Sequence, residues 1–247
     1  MPMIRTAVIL AAGMGTRLAG EVEDYPKGFL RLGRQSIIEE SIERLVAAGI
    51  QDIVIVTGHC ADHYDRFAAG QDGLVRTVHN PHFADSGSMY SLYCTRDVVD
   101  HDFLLLESDL IYQSRALTEL LIEPAPDAIL LSGPTGAGDE VWVQTRDGNL
   151  VAMSKDRSVL TGPVAGELVG ITKISTPLFA LMREIAAQAF TASLHFDYET
   201  DCLVAAGERR PICCPLIADL VWTEIDDPGH LQRAREQIYP QIEKMGG

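Results

Sequence analysis

The sequence predicts an α/β fold: a mixed, mostly parallel sheet with helices on both faces and a small inserted β lobe. Three observations carry this. Apolar runs of strand length alternate with helix-length segments through the first half of the chain. Those runs are continuous rather than alternating, as in strands buried on both faces. From Val141 the rhythm changes to short strands around an Asp147-Gly148 turn, the mark of a hairpin.

The elements follow in order. Thr6 to Leu10 reads as a buried first strand. Ser36-Ile37-Ile38-Glu39 is a capping box, and its helix runs to about Ala48 before Gly49. Asp52 to Thr57 is a second strand, Ala61 to Ala69 a helix, and Leu74 to Val78 a third strand. Ser88 to Arg96 is a short helix, and Phe103 to Leu106 a fourth strand. Ser114 to Ile122 is a helix, and Ala128 to Leu131 a further strand. Val141 to Gln144 and Leu150 to Met153 form the hairpin. Leu168 to Ile174 is a strand, Pro177 to Ala187 a helix, and a last helix follows Pro228. The expected organisation is one domain over 1–247. Residues 1–135 mainly bind nucleotide, 136–220 mainly bind an acceptor, and 221–247 supply a ligand-bearing strand end and the last helix.

The segment after the first strand carries the most chemistry. Leu10, Ala11, Ala12, Gly13, Met14, Gly15, Thr16 and Arg17 are followed by Pro26-Lys27. Glycines let backbone N–H groups approach a phosphate chain and point inward as an anion nest. Arg17 can fork onto phosphate oxygens, and Lys27 adds a point charge. A dinucleotide fingerprint would need a small residue where Leu18 stands. A P-loop would need Gly-Lys-Ser/Thr, which is absent. A nucleoside triphosphate at the end of the first strand is the expected ligand.

Composition agrees with a soluble enzyme. Hydrophobic residues make up 47% of 247, enough for a sizeable core. The formal net charge of −15 argues against a nucleic-acid partner, which wants a basic face. Five cysteines without a paired spacing point to reduced thiols, and no signal or membrane span is visible, so a cytoplasmic location is expected.

Two acidic strand ends are candidate metal ligands. Leu104-Leu105-Leu106-Glu107-Ser108-Asp109 ends an apolar strand in carboxylates, where ligands of open sheets gather. Asp109 there either caps a turn or holds a hard divalent cation. In Thr223-Glu224-Ile225-Asp226-Asp227-Pro228, alternation puts Glu224 and Asp226 on one face. Asp227, just before Pro228, suits the helix cap, leaving Asp226 for the metal.

The loop with Pro26-Lys27 resembles the signature of the nucleotidyltransferases that make sugar nucleotides and related activated alcohols. The resemblance implies a GT-A-like Rossmannoid fold, with Mg²⁺ as cofactor and Asp109 as its ligand. The Glu224-Ile225-Asp226 stretch is similar to the end of bacterial choline-phosphate cytidylyltransferases. Ser86-Gly87-Ser88-Met89-Tyr90-Ser91-Leu92, taken with Glu107-Ser108-Asp109-Leu110-Ile111-Tyr112, looks more like 2-aminoethylphosphonate cytidylyltransferases. In both groups this segment helps hold the cytidine nucleotide, which would make Ser86, Gly87 and Ser88 the base readers. From residue chemistry alone the same segment is a polar loop with a helix N-terminus and free N–H and hydroxyl groups.

Both acceptors pair a cation with a phosphate or phosphonate. Asp139, Glu140 and Trp142 open the hairpin, and Asp197 and Glu199 follow the long helix. These are the candidates for the cation, and Lys155 for the phosphonate. A primary ammonium wants carboxylates, whereas trimethylammonium wants an aromatic cage. Only two tryptophans and 6% aromatic residues favour the amine. The expected activity is CMP transfer from CTP to a small zwitterionic acceptor, most specifically 2-aminoethylphosphonate, with release of pyrophosphate. Phosphocholine and a sugar 1-phosphate are alternative acceptors, and a non-catalytic nucleotide sensor is the remaining alternative. A homodimer is compatible with this reading; a membrane or nucleic-acid partner is not expected.

Overall fold

The computed structural model describes residues 4–15, 18 and 25–245. Thr16 and Arg17 lie outside the described residues. Eleven strands are described: β1 Thr6–Ala11, β2 Asp52–Thr57, β3 Val75–His79, β4 Phe103–Glu107, β5 Leu110–Tyr112, β6 Ala128–Ser132, β7 Trp142–Arg146, β8 Asn149–Ser154, β9 Val164–Ile174, β10 Leu216–Ile217 and β11 Trp222–Glu224. The main sheet runs β10-β6-β9-β4-β1-β2-β3, with β7 and β8 attached through β9. Its β4-β1-β2-β3 half is parallel. The strand β9 is antiparallel to both β4 and β6.

The helices are α1 Ile37–Ala47, α2 Ala61–Ala69, α3 Ser88–Tyr93, α4 Arg115–Ile122, α5 Thr176–Ala189, α6 Val204–Gly207, α7 Pro228–Arg233 and α8 Tyr239–Lys244. Two apolar clusters lie on opposite faces of the sheet because successive strand residues point to opposite sides. Val8, Leu10, Leu105 and Met182 belong to one, and Ala7, Ile9, Leu104 and Leu120 to the other. Helix α1 starts where its capping box predicts. The Glu39 carboxylate accepts from the Ser36 N–H and hydroxyl, each at 2.7 Å. At the hairpin, Asp147 (φ 51°) and Gly148 (φ 75°) take the left-handed conformation that a tight two-residue turn needs.

Three departures from the sequence reading matter for the site. The helix from Ser88 ends at Tyr93 and continues as a 3₁₀ turn over Cys94–Asp97. The strand expected from Leu168 begins at Val164, because its first residues pair with β7 rather than with the central sheet. Short strands β5 and β11 form a separate antiparallel pair, with Glu224 opposite Leu110. Among the described residues, no helix is long and apolar enough to cross a membrane.

Candidate active site

The register of the central strands builds the site. Leu10 of β1 lies beside Glu107 of β4, so the loop after β1 and the carboxylates after β4 emerge side by side. The chain then turns through Ser108-Asp109 into β5, and pairing with β11 delivers Glu224 and Asp226 to the same place. Two residues 117 positions apart in sequence therefore meet at Lys27. Its ammonium donates to Asp109 Oδ2 at 3.2 Å and Asp226 Oδ1 at 2.5 Å.

Lys27 is held there by packing behind it. It opens a 3₁₀ turn, Lys27–Phe29, after Pro26. Gly28 is pressed against Tyr64; a Cβ there would stand 2.7 Å from the Tyr64 hydroxyl and 3.1 Å from the Ser108 carbonyl. Phe29 packs on Tyr25, His63, Tyr64 and Phe67. Burial alone would lower the Lys27 pKa, but Asp109 and Asp226 outweigh it and raise it. Burial raises the Asp109 pKa, with repulsion from Asp226 adding to it and Lys27 opposing it. One ammonium thus shares two carboxylates, and the cluster keeps unspent negative charge.

Around Lys27 lies a cleft of about 420 Å³. Leu10, Ala11, Ala12, Gly13 and Gly15 form one wall, with Met14 and Pro26 beside them. Gly15 sits at φ 60°, with Lys27 Cγ 3.5 Å from where its Cβ would be. The facing wall is Phe83, Ala84, Ser86, Gly87, Ser88 and Ser91. That loop is ordered from within by fully buried Asn80, whose amide donates to the Ser86 and Ser91 hydroxyls and whose oxygen accepts from His82 N–H.

The start of α3 is not free, contrary to the sequence reading. The Ser88 N–H donates to Asp197 Oδ1 at 3.0 Å, and its hydroxyl does so at 3.2 Å. The same hydroxyl accepts from Tyr198 N–H at 3.0 Å. Gly87 N–H goes to the Leu194 carbonyl and Met89 N–H to that of Phe196. The positive end of a helix attracts a carboxylate, and here the segment before a π-helical turn, Tyr198–Leu203, supplies it. Gly87 is required by this contact, since a Cβ would fall 2.6 Å from the Phe196 carbonyl. Asp197, expected to face a ligand cation, commits Oδ1 to the helix.

A second cavity of about 240 Å³ adjoins the cleft and shares Ser88, Glu107 and Asp226 with it. The predicted residues Asp139, Glu140, Lys155, Asp197 and Glu199 all line it. Trp142 does not; its ring lies 5.2 Å from the Arg157 guanidinium. The tryptophan that lines the cavity is Trp222, whose indole N–H donates to Ser132 Oγ at 2.8 Å. Sequence reasoning missed Glu107, Glu167 and Glu224 as lining residues. Alternation from Asp226 gave a signal for Glu224. Glu167 offers none, being buried in the middle of β9, where it accepts from Thr135 N–H and hydroxyl.

Crowding of these acids shows in their protonation. Burial, then the charges of Asp109 and Asp226, push Glu224 up to about 9. Burial pushes Glu167 up to about 7 against its Thr135 hydrogen bonds. Glu107 is raised well above the usual range by burial and by Glu199. A cavity with this lining favours a cationic ligand.

Divalent cations suit the same junction. Asp139, Glu224 and Asp226 present oxygens within 4.8 Å of one another, and Asp109 stands across Lys27 from Asp226. Hard oxygen donors of this kind fit magnesium, and the Lys27 ammonium already shows that the cluster draws positive charge. Asp227 takes the role expected of it: its Oδ1 accepts from His230 N–H at 2.9 Å, with Pro228 in the first turn.

Comparison with known proteins places this architecture. The family model for the MobA-like NTP transferase domain matches residues 7–192. A CMP-5'-(3-aminopropyl)phosphonate synthase of Streptomyces rubellomurinus is 29% identical over 97% of this chain and 40% of its own length. A 2-aminoethylphosphonate cytidylyltransferase of Lancefieldella rimae is 28% identical over 69% of this chain and 67% of its own. The solved inositol-1-phosphate CTP transferase of T. maritima superposes with a TM-score of 0.83 at 19% identity, covering 98% of this chain and 96% of that one. That likeness is one of fold. The chain spans about half the length, 40–52%, of several curated relatives that it matches.

Proposed function

Because this chain belongs to the MobA-like NTP transferase domain family, we propose that it is a cytidylyltransferase acting on a small amino-phosphonate, with 2-aminoethylphosphonate the preferred acceptor. The observation that carries this reading is the acid-lined cavity opening directly onto the cleft of the glycine loop. The cleft suits a nucleoside triphosphate, and the cavity suits a cation tethered to an anion.

A phosphonate oxygen of the acceptor attacks the α-phosphorus of CTP in line. The bond from that phosphorus to the bridging oxygen breaks, and pyrophosphate leaves. The acceptor is already anionic near neutral pH, so no side-chain base is needed. Positioning and charge stabilisation do the catalysis. Lys27 faces the α-phosphate, where charge grows, and Arg17 holds the departing phosphates. Ser86, Gly87 and Ser88 line the nucleotide wall. Asp109 and Asp226 would hold magnesium, which when bound offsets the repulsion between two anionic substrates. Lys155 is the basic residue of the acceptor cavity and holds the phosphonate.

A phosphocholine acceptor is the second reading, and Trp222 on the cavity wall favours it. A site built for hydrogen bonds rejects an analogue lacking them by about 2–4 kcal/mol. Incubation with each of the four nucleoside triphosphates and a panel of phosphorylated amines, phosphonates and sugars, read as pyrophosphate release, tests the whole assignment. CTP with 2-aminoethylphosphonate should give the highest kcat/KM. Equal values for phosphocholine would select the second reading, and release only with sugar 1-phosphates would overturn both.

A further inference from the structure

Helix α7 begins directly after Asp226 and Asp227, and its residues His230 and Arg233 stand three apart, on one face. Both reach across to the segment Thr135–Glu140, which lines the acid-lined cavity through Thr135, Ala137, Asp139 and Glu140. Arg233 Nη2 donates to the Thr135 carbonyl at 2.8 Å, and Nη1 donates to Thr223 Oγ1 at 3.4 Å. His230 is buried. Its Nε2 faces three oxygens: the Ala137 carbonyl at 3.3 Å, Asp139 Oδ1 at 3.6 Å and Asp227 Oδ2 at 4.0 Å. That surrounding assigns Nε2 the ring proton. The segment needs such a fastener. Gly136 (φ 68°) and Gly138 (φ 100°) flank Ala137 in the left-handed region, and glycine loses more freedom on ordering than any other residue. Thr135 is tied to Glu167, and the next backbone tie to the sheet among the described residues is at Val141, whose carbonyl accepts from Leu168 N–H. His230 sits over the span between.

We propose that His230 and Arg233 are positioning residues that set the affinity for the acceptor by holding Asp139 in the cavity wall. The proposal rests on the reading of this cavity as the acceptor's and extends it to side chains that touch no substrate. His230 clamps the Ala137 carbonyl and Asp139 Oδ1 with one nitrogen, and Arg233 clamps the root of the segment at Thr135. Asp139 is thereby kept where its oxygen lies within 4.8 Å of those of Glu224 and Asp226. The strand end that carries Asp226 and the wall that carries Asp139 are thus set by one short helix.

The test compares the wild type with His230→Leu, His230→Gln and Arg233→Met in two measurements. The first is the NMR backbone order parameter of Gly136 to Glu140 in the free protein. It should fall from the rigid range of about 0.85 toward the flexible range below about 0.6 in His230→Leu. The second is the pair of KM values for 2-aminoethylphosphonate and CTP, read from pyrophosphate release with magnesium present. His230→Leu should raise the phosphonate KM ~10-fold or more, the scale of losing a supporting hydrogen bond behind a site, and leave that for CTP within about twofold. Glutamine can bring its amide nitrogen to the Nε2 position, so His230→Gln should return the phosphonate KM to within ~3-fold of wild type. Arg233→Met should loosen the same segment and carries the comparison if His230→Leu does not fold. Unchanged order parameters, an unchanged phosphonate KM, or equal rises in both KM values overturn the positioning role. A wild type that releases no pyrophosphate with the phosphonate, while His230→Leu still loosens the segment, overturns the amino-phosphonate reading and with it the acceptor role, but leaves the fastening itself standing.

Discussion

The two cavities share a seam but are built on opposite plans. The cleft proposed for the nucleotide takes much of its wall from one contiguous stretch, Leu10 to Gly15, and a second from Phe83 to Ser88. Backbone and small side chains do most of the lining. The cavity proposed for the acceptor is lined by residues from at least five separate segments, eight of the eighteen acidic. An anion can be held by main-chain N–H groups, which any short glycine-bearing loop supplies. A cation needs carboxylates, and those must be brought together from distant positions. On the proposed assignment, one substrate's site is local and the other's is tertiary.

Mutation can sharpen this contrast, beginning where the two plans meet. Asp109→Asn and Asp226→Asn should each lower turnover by ~1,000-fold or more, in the range seen when a key electrostatic contact is lost. The double variant should be little worse than either single one, because both serve one charge centre. Fully additive losses would separate their roles. Lys27→Ala should lower kcat by ~100-fold with a smaller change in the KM for CTP. An effect on KM alone would remove Lys27 from the transition state.

Gly28→Ala probes the packing behind that lysine. The added methyl collides with the Tyr64 hydroxyl, 2.7 Å away, and should displace Lys27 and lower kcat by ~10-fold. Tyr64→Phe in the same chain removes the obstructing oxygen and should recover most of the loss. No recovery would place the fault at the Ser108 carbonyl instead. On the acceptor side, Lys155→Ala should raise the KM for the phosphonate about 10-fold and leave the KM for CTP within twofold, since a single charge-assisted contact is removed. A rise in both would mean that the two cavities are not separable at that residue.

The smallest expected effect lies outside both cavities. Its hydrogen bonds to Ser36 hold Glu39 below the usual carboxylate range. A lowered folded-state pKa contributes stability above the unfolded value of 4.5, and that stability fades as pH falls through the folded value. Glu39→Gln should cost about 0.5–1 kcal/mol at neutral pH, a Tm drop of about 2–4 °C. The gap between wild type and variant should narrow in acid. A constant gap from pH 7 to 3 would assign the loss to packing rather than to the carboxylate.

The same contrast explains what could be read from the chain unaided. Strands β1, β2 and β4 are continuous apolar runs, and their parallel pairing follows from the helices between them. The glycine loop and Asp109 were legible because each lies at the end of such a run. The β5–β11 pair was not, since its three-residue strands are too short for periodicity to show. That pairing is what carries Glu224 and Asp226 to Lys27. Ser88 shows the other limit. Its hydroxyl and N–H looked available in sequence, but a partner more than a hundred residues away takes them. Trp142 and Trp222 exchange places for the same reason: composition names the residue type, and only the sheet decides which copy faces the cavity.

One strand has a mechanical consequence. The eleven residues of β9 pair with β7 at one end and with β4 and β6 at the other. The hairpin lobe is therefore spliced into the central sheet by an unbroken beam. A hinge between them would have to tear ladder hydrogen bonds, so lobe and sheet move as one rigid frame. The flanking segments are tied down as well, Thr135 to Glu167 of β9 and Leu194, Phe196 and Asp197 to the start of α3, so the walls of both cavities are set by the same frame.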